Sequence, residues 1–311
     1  MSEGLMWPRE SLVPRESRLS RSARPWLGRL VGSIVMLAAA LFFGIPVLWL
    51  ILAPTKTSYQ LNHGFPFSIG NPMNIVTAWR HLYEFRDGEI LRWIANSVYY
   101  SVTSVALGVV LCVTAGYGLA KYTFVGRKTV LLTTLISMIV PGAALILPLY
   151  VEMAALHLIG TAAAVILPSA YFPFGVYLAY IFFSTSMPNT LLEAARVDGA
   201  SEARIFFTIA LPLARPMIGL VAFFSFVGVW SNFMLPYLML TSDQSFPLPV
   251  GLTALPLFDA VTGMPTSFSS LPIHEPEAAL AGLISVLPIL LVFLFAQRFL
   301  VAGQLTGADK N

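Results

Sequence analysis

The chain is poor in charge and almost without cysteine. Asp, Glu, Lys and Arg make up 11% of its 311 residues, against about 25% in ordinary soluble domains. Hydrophobic residues make up 57% and the mean hydropathy is +0.78, which places the chain in a membrane. Its one cysteine, Cys112, lies inside an apolar run. That excludes a disulfide or a thiolate metal site within the chain, and the expectation is a packed structural thiol. The formal charge of +3 is small, and the basic residues do not gather on a face interleaved with aromatics, so nucleic acid is not an expected partner. Catalytic signatures are missing as well: there is no HExxH, no GxxxxGK[ST] loop and no GxSxG elbow, so the chain is not expected to be an enzyme. His63, His81, His157 and His274 are scattered along the sequence, and each reads as a satisfied surface or interface histidine.

What is abundant is uninterrupted apolar sequence. Stretches free of Asp, Glu, Lys and Arg cover residues 30–55, 93–120, 129–151, 158–192, 216–242 and 278–297. Each holds the ~20 residues that a helix needs to cross about 30 Å of hydrocarbon. Lipid cannot satisfy a bare backbone, and the runs are too long and continuous for barrel strands, so an all-α membrane protein with six transmembrane helices is predicted. The first run is too long for a signal-peptide core and reads as a retained helix.

Lysine and arginine orient the bundle, because cytoplasmic connections carry their excess. Arg9, Arg15, Arg18, Arg21, Arg24 and Arg29 precede the first run, Lys121, Arg127 and Lys128 follow the second, Arg196, Arg204 and Arg215 lie between the fourth and fifth, and Arg298 and Lys310 follow the sixth. The opposite face has only Lys56, Arg80, Arg86 and Arg92. Both termini are therefore expected in the cytoplasm of a multi-pass protein. The reading divides the chain into a basic cytoplasmic tail (1–29), a first transmembrane helix (30–55), an external loop (56–92), a core with five further helices (93–303) and a C-terminal tail (304–311). A second external segment is expected at about 243–277.

The runs also lack buried ionisable groups, which transporters driven by an ion gradient usually carry near the bilayer centre. A secondary transporter or channel acting alone stays open on the residues, because backbone carbonyls can bind sodium. So does an intramembrane hydrolase, since Ser97, Ser101, Ser104, Ser137 and Ser225 lie in the runs without an evident base.

One segment breaks the apolar pattern. "EAARVDGASEARIFFTIALP", residues 193–212, has five charged residues in its first twelve positions. Pro188 stops the preceding helix and Asn189 is expected to cap a short one, with Glu193 able to pair with Arg196. Ala194 and Ala195 leave a flat surface. Gly199 supplies the left-handed residue that ends a helix, and Ser201 caps the next, whose apolar face is Ile205, Phe206 and Ile209. Pro212 and Pro216 break the pattern before the fifth run. On pattern alone this is either an interfacial amphipathic helix or a knob that docks a partner.

Resemblance decides between them. The order Glu193-Ala194-Ala195, three residues, Gly199, nine residues, Ile209, one residue, Leu211-Pro212 resembles the EAA signature of permease subunits of binding-protein-dependent ABC importers. Seven such identities at fixed spacing arise by chance on the order of once in 10⁸ start positions. The likeness extends over about 93–311 and is nearest the sugar-importer branch that includes the maltose transporter's second permease. It is carried by "ANSVYYSVTSVALGVVLCVTAGYGLAKYTFVGRK", "VPGAALILPLY", "WSNFMLPYLML" and "QRFLVAGQLTGADK". Two departures are the missing acid in Trp230-Ser231-Asn232-Phe233 and a longer external segment at 253–277.

The resemblance implies a type I ABC importer permease fold with a cytoplasmic coupling helix at about 189–199. It implies ATPase contact through Glu193, Ala194, Ala195, Arg196, Asp198 and Gly199, and a hinge at Gly199, Pro212 and Pro216. The implied partners are a second permease subunit, two ATP-binding subunits, an extracytoplasmic solute-binding protein and the lipid bilayer of a prokaryotic cytoplasmic membrane. ATP and Mg would sit on the partner ATPase, with no cofactor or metal on this chain. For residues 303–310 the resemblance implies a secondary ATPase contact, with a frayed terminus as the alternative. For a small polar solute such as a sugar, the candidate path residues are Asn96, Pro141, Gly142, Trp230, Ser231, Asn232 and Tyr237, where amide and hydroxyl groups sit beside aromatic rings.

Overall fold

The computed structural model describes residues 25–255 and 273–308. Most of the basic tail, the middle of the segment 253–277 and the side chains of residues 300–311 lie outside the described part. Every regular element among the described residues is a helix. The chain forms two compact units, Met1–Trp49 and Leu50–Asn311. The first unit consists, in its described part, of most of α1 (Pro25–Leu52), which continues through Pro46. At 1.5 Å per residue its 28 residues reach about 42 Å, and its apolar side chains, such as Met36 and Phe42, are exposed all round, as suits a helix in lipid.

The second unit opens with helical structure where the sequence reading has a loop. Thr57 caps α2 (Ser58–His63) in a reciprocal box with Gln60. α3 (Met73–Glu84) then buries Ala78 and Leu82. These residues fold because the cap satisfies the first amides and the apolar pair shares one helix face. Lys56 is buried, its Nζ donating to the carbonyls of Phe65 (3.1 Å) and Pro66 (2.6 Å). A kink with Arg86, Asp87 and Gly88 at positive φ separates α3 from the long helix that follows.

α4 (Glu89–Lys121) is the axis of this unit: 33 residues without proline. α7 (Ala163–Ala170), α8 (Pro173–Thr185) and α12 (Arg215–Trp230) pack on it. Gly108, Cys112 and Gly116 recur every fourth residue and form the seam. A Cβ on Gly108 would sit 3.1 Å from the Ala170 carbonyl oxygen, and one on Gly116 2.4 Å from Ala179 Cβ. The buried Cys112 thiol donates to the carbonyl of Phe172 at 3.3 Å, which makes it the packed structural thiol expected. Small residues let backbones approach, and in lipid that close packing holds helices together.

Within the six-span pattern expected, the third, fourth and fifth apolar runs are interrupted. Among the described residues, four helices are long and apolar enough to cross a membrane, or up to six if each of two bent pairs counts as one. The run 129–151 becomes α5 (Arg127–Ile139) and α6 (Gly142–Ala155), bent by 111°. Pro141 has no amide to donate and forces Val140 into an extended conformation (φ −69°, ψ 123°). The run 158–192 yields α7 and α8, separated at Tyr171 and Phe172. The run 216–242 is helical only to Trp230, unwinds over residues 231–233 and resumes in α13 (Met234–Met239). After α14 (Leu248–Gly251), α15 (Glu275–Ala308) completes the bundle and passes through Pro288.

The seam gives a direct test on α4. Gly116→Ala is expected to cost about 1–3 kcal/mol by overpacking. Gly118→Ala, with nothing within 4 Å, is expected to be neutral or to gain up to about 1 kcal/mol from helix propensity. Thermal melting of the purified chain in detergent measures both.

Candidate coupling helix and solute cleft

The charged segment folds into α9 (Asn189–Val197), α10 (Glu202–Ile205), a wider π turn (Phe206–Ala210) and α11 (Leu211–Leu213). Gly199, at φ 80°, ends the first helix as the sequence suggests, and Ser201 Oγ accepts from the Arg204 amide at 3.3 Å. Leu192 is buried and Ala195 packs on the same cluster, with Tyr117, Phe183, Ile205 and Met217 among its members. This anchors α9 by one face. Its other face is free: Glu193, Ala194, Arg196 and Asp198 are exposed, Leu191 is 41% exposed and Val197 is 88% exposed. An apolar strip bordered by charge, on a helix held from behind, has the form of a docking surface.

Two local expectations are corrected. Asn189 is not the N-cap: Pro188 holds that position without a side-chain bond, and the Asn189 Oδ1 accepts instead from Lys121 Nζ at 2.8 Å. Arg196 pairs not with Glu193 but across the Gly199 turn with Glu202, Nε to Oε1 at 2.6 Å. The left-handed glycine reverses the chain and brings α10 beside α9, so the acid six residues on is the nearer partner. Tyr122 completes the cluster, its hydroxyl donating to Glu202 Oε2 at 2.8 Å. Burial and that carboxylate push the Tyr122 phenol up to about 12, so it remains a donor at neutral pH. Pro212 and Pro216 flank a 74° bend between residues 213 and 215.

The helix interruptions meet elsewhere, around a cleft of about 490 Å³. Val140 and Gly142 from the first break line it, with Tyr171 and Phe172 from the second and Asn232 from the third; Ser137, Ser169, Phe224 and Ser225 also line it. A break frees carbonyls and amides from the helix ladder, so these are the places where a membrane helix can offer polar backbone. The hydroxyls of Ser169 and Ser225 are buried and have no hydrogen-bond partner among the described residues. A buried hydroxyl left unpaired costs about 1–3 kcal/mol, which a ligand hydroxyl would offset. The Asn232 Oδ1 accepts only from the Leu235 amide, at 3.3 Å.

Of the candidates taken from sequence, the structure brings Gly142 and Asn232 to this cleft, with Pro141 at the bend beside it. Trp230 turns away, stacking on Phe226 and donating to the Ser285 carbonyl at 2.8 Å. Asn96 donates to the carbonyls of Gln244 (2.8 Å) and Phe246 (3.0 Å) and so fastens the segment after α13. Ser231 is exposed, and Tyr237 is exposed and stacked on Phe233. Sequence reading passed over Ser169, Tyr171 and Phe224 and weighed Ser137 and Ser225 only as nucleophiles. The available signal was Pro168 and Pro173, which flag an interruption within the fourth run. None of the five serines considered for hydrolysis has a histidine partner among the described residues.

The cleft gives the second test. Ser225→Ala removes an unpaired buried hydroxyl and is expected to leave melting unchanged or slightly raised, while uptake of the transported solute by cells falls several-fold. A melting scan and an uptake assay on the same variant check it.

Residues 108–304 match the family described as Binding-protein-dependent transport system inner membrane component. The arabinooligosaccharides transport system permease protein AraQ of Halalkalibacterium halodurans is 34% identical over 268 residues, 86% of this chain and 91% of that one. In fold, the chain matches one from a bacterial ABC transporter involved in the import of the acidic polysaccharide alginate, with a TM-score of 0.74 and 21% identity over 90% of this chain and 98% of that one. A chain of bacterial alginate ABC transporter in complex with alginate pentasaccharide-bound periplasmic protein matches with a TM-score of 0.53 and 16% identity, over 88% and 93%. With the motif at residues 193–212, the broken-helix bundle and these likenesses in agreement, the chain belongs to the inner membrane components of binding-protein-dependent transport systems.

Proposed function

We propose that this chain is one of two permease halves of an ATP-driven importer, that it passes a carbohydrate or related polar solute through the cleft at the helix breaks, and that α9 docks in an ATPase subunit. The observation that carries the coupling role is the free face of α9, with Leu191, Ala194 and Val197 exposed beside Glu193 and Asp198 on a helix anchored from behind. A solute-binding protein delivers the cargo, as the family description and the alginate complex support. Both termini and α9 lie in the cytoplasm, with residues 56–92 and the segment after α13 outside, on the strength of the Lys and Arg asymmetry. Among the described residues, no Asp, Glu, Lys or Arg lines the cleft. Hydroxyl and amide groups beside Tyr171, Phe172 and Phe224 suit a neutral saccharide, with polar edges and weakly apolar C–H faces.

ATP and Mg belong to the ATPase subunits in this reading. Their closure would push α9 as a packed body, with the turn at Gly199 and the bend between Pro212 and Pro216 passing the displacement to α12. A reading as a transporter acting alone would leave the exposed strip on α9 without a use.

Co-purification with the ATPase tests the docking. Glu193→Lys reverses a charge on the free face and Gly199→Asp forces a side chain into a left-handed position. Both are expected to lose the ATPase, or at least tenfold in coupled ATP hydrolysis, while the chain still folds in the membrane. Unchanged assembly and hydrolysis would overturn the reading. Orientation is tested at Val197→Cys in a Cys112→Ala background, with a membrane-impermeant maleimide. Labelling is expected in inside-out vesicles and not in intact cells.

A further inference from the structure

Among the described residues, every membrane-crossing helix but one contains proline or a break; the exception is α4. Its 33 residues reach about 50 Å at 1.5 Å each, and both ends are fastened by side-chain hydrogen bonds to segments distant in sequence. At the first end, Trp93 Nε1 donates to the Asp243 carbonyl (3.0 Å), Asn96 Nδ2 to those of Gln244 and Phe246, and the Tyr100 hydroxyl to that of Ser245 (2.8 Å). Ser97 Oγ accepts from the Leu248 amide at 2.7 Å. Four α4 residues thus hold one short stretch, 243–248. At the other end, Lys121 Nζ donates to the Met187 carbonyl (2.7 Å) and to Asn189, the first residue of α9. Tyr122, immediately after α4, holds Glu202, which is paired with Arg196 near the end of α9. α9 is thereby tied to the same helix at its start and, through that ion pair, at its exit.

We propose that α4 is a mechanical link: it couples the position of the segment 243–248 to that of α9, without passing through the broken helices that line the cleft. Lys121, Tyr122 and Glu202 are positioning residues at one end, and Trp93, Ser97 and Tyr100 at the other. The broken helices can bend and repack around solute, whereas a proline-free helix seated on the Gly108–Cys112–Gly116 seam shifts as a unit. Taken with the proposed function, on which this part of the inference rests, a binding protein seated over 243–248 and an ATPase seated on α9 each feel the other through one helix. Such a link is reciprocal: whatever fixes one end biases the other.

Hydrogen exchange of the full-length chain in lipid nanodiscs tests the link without any partner present. Lys121→Met removes both bonds at this end, to Met187 just before α9 and to Asn189 at its start. It is expected to raise exchange at least fivefold in α9 and also at the Leu248 amide, which is held at Ser97, about 36 Å from Lys121 along α4. Lys121→Arg keeps a donor and is expected to restore both. Adding Val110→Gly and Leu111→Gly, at exposed positions midway, softens the helix and is expected to confine the Lys121→Met effect to α9. The matching pair Leu132→Gly and Ile136→Gly in α5 is expected to leave the remote effect in place. Exchange raised in α9 alone by Lys121→Met, or a remote rise that survives the α4 glycines, would overturn the proposal. ATPase co-purification of the native chain stands apart: its failure would remove the ATPase from the picture while leaving an observed link between the two ends intact.

Discussion

A lipid interior offers no hydrogen bonds, and that constraint decides where this chain stays regular and where it does not. α4 keeps its backbone satisfied from Glu89 to Lys121 and meets its neighbours through close packing at Gly108, Cys112 and Gly116. Because the axis is intact, its neighbours can be imperfect. Val140, Tyr171, Phe172 and Asn232 leave the helical ladder beside a cleft, where backbone polarity is tolerated because it faces a cavity rather than lipid. The same rule that forces helices also marks, by its violations, where the proposed solute path would run.

Much of this was legible in the sequence, for reasons that separate short-range from long-range physics. The number of apolar runs, the left-handed turn at Gly199, the cap at Ser201 and the apolar face of Ile205, Phe206 and Ile209 depend on neighbours a few residues apart. Pairings did not read as well. Arg196 had an acid three residues before it and another six residues after it; the turn at Gly199 made the second the partner. Asn189 was expected at a cap position, yet Lys121, 68 residues earlier, claims its side chain. Asn96 and Trp230 carried the chemistry of a sugar site, but their side chains were taken by packing partners that only the fold brings near. A broken helix was visible as proline in the third and fourth runs, while the convergence of three breaks on one cleft was not, since it depends on how the helices cross.

The charged and polar contacts of the second unit are concentrated at its two ends rather than spread along it. Arg86 with Asp243, and His81 with Glu277, knit the elements around residues 243–248 and the start of α15. Lys121, Tyr122, Arg196 and Glu202 knit the α9 end. Between them the helices meet mainly through apolar side chains and small residues, with isolated hydrogen bonds such as Cys112 to Phe172 and Trp230 to Ser285. In such a division, directional bonds fix the geometry of the two ends, and close packing does most of the holding between them. The histidines fit that scheme: His81 and His63 have local partners, a carboxylate and a tyrosine ring respectively.

The π turn at Phe206–Ala210 gives the spacing of the motif a physical meaning. An ordinary helix turns by about 100° per residue, and a π turn accommodates one extra residue without unwinding its flanks. Residues before it therefore point in directions that simple counting from Pro212 would not give. The nine residues between Gly199 and Ile209 then set a rotational phase as well as a length. Gaining or losing one residue in that interval would leave the hydrophobicity nearly unchanged, yet shift by about 100° the helical phase that leads from the Gly199 turn towards α12.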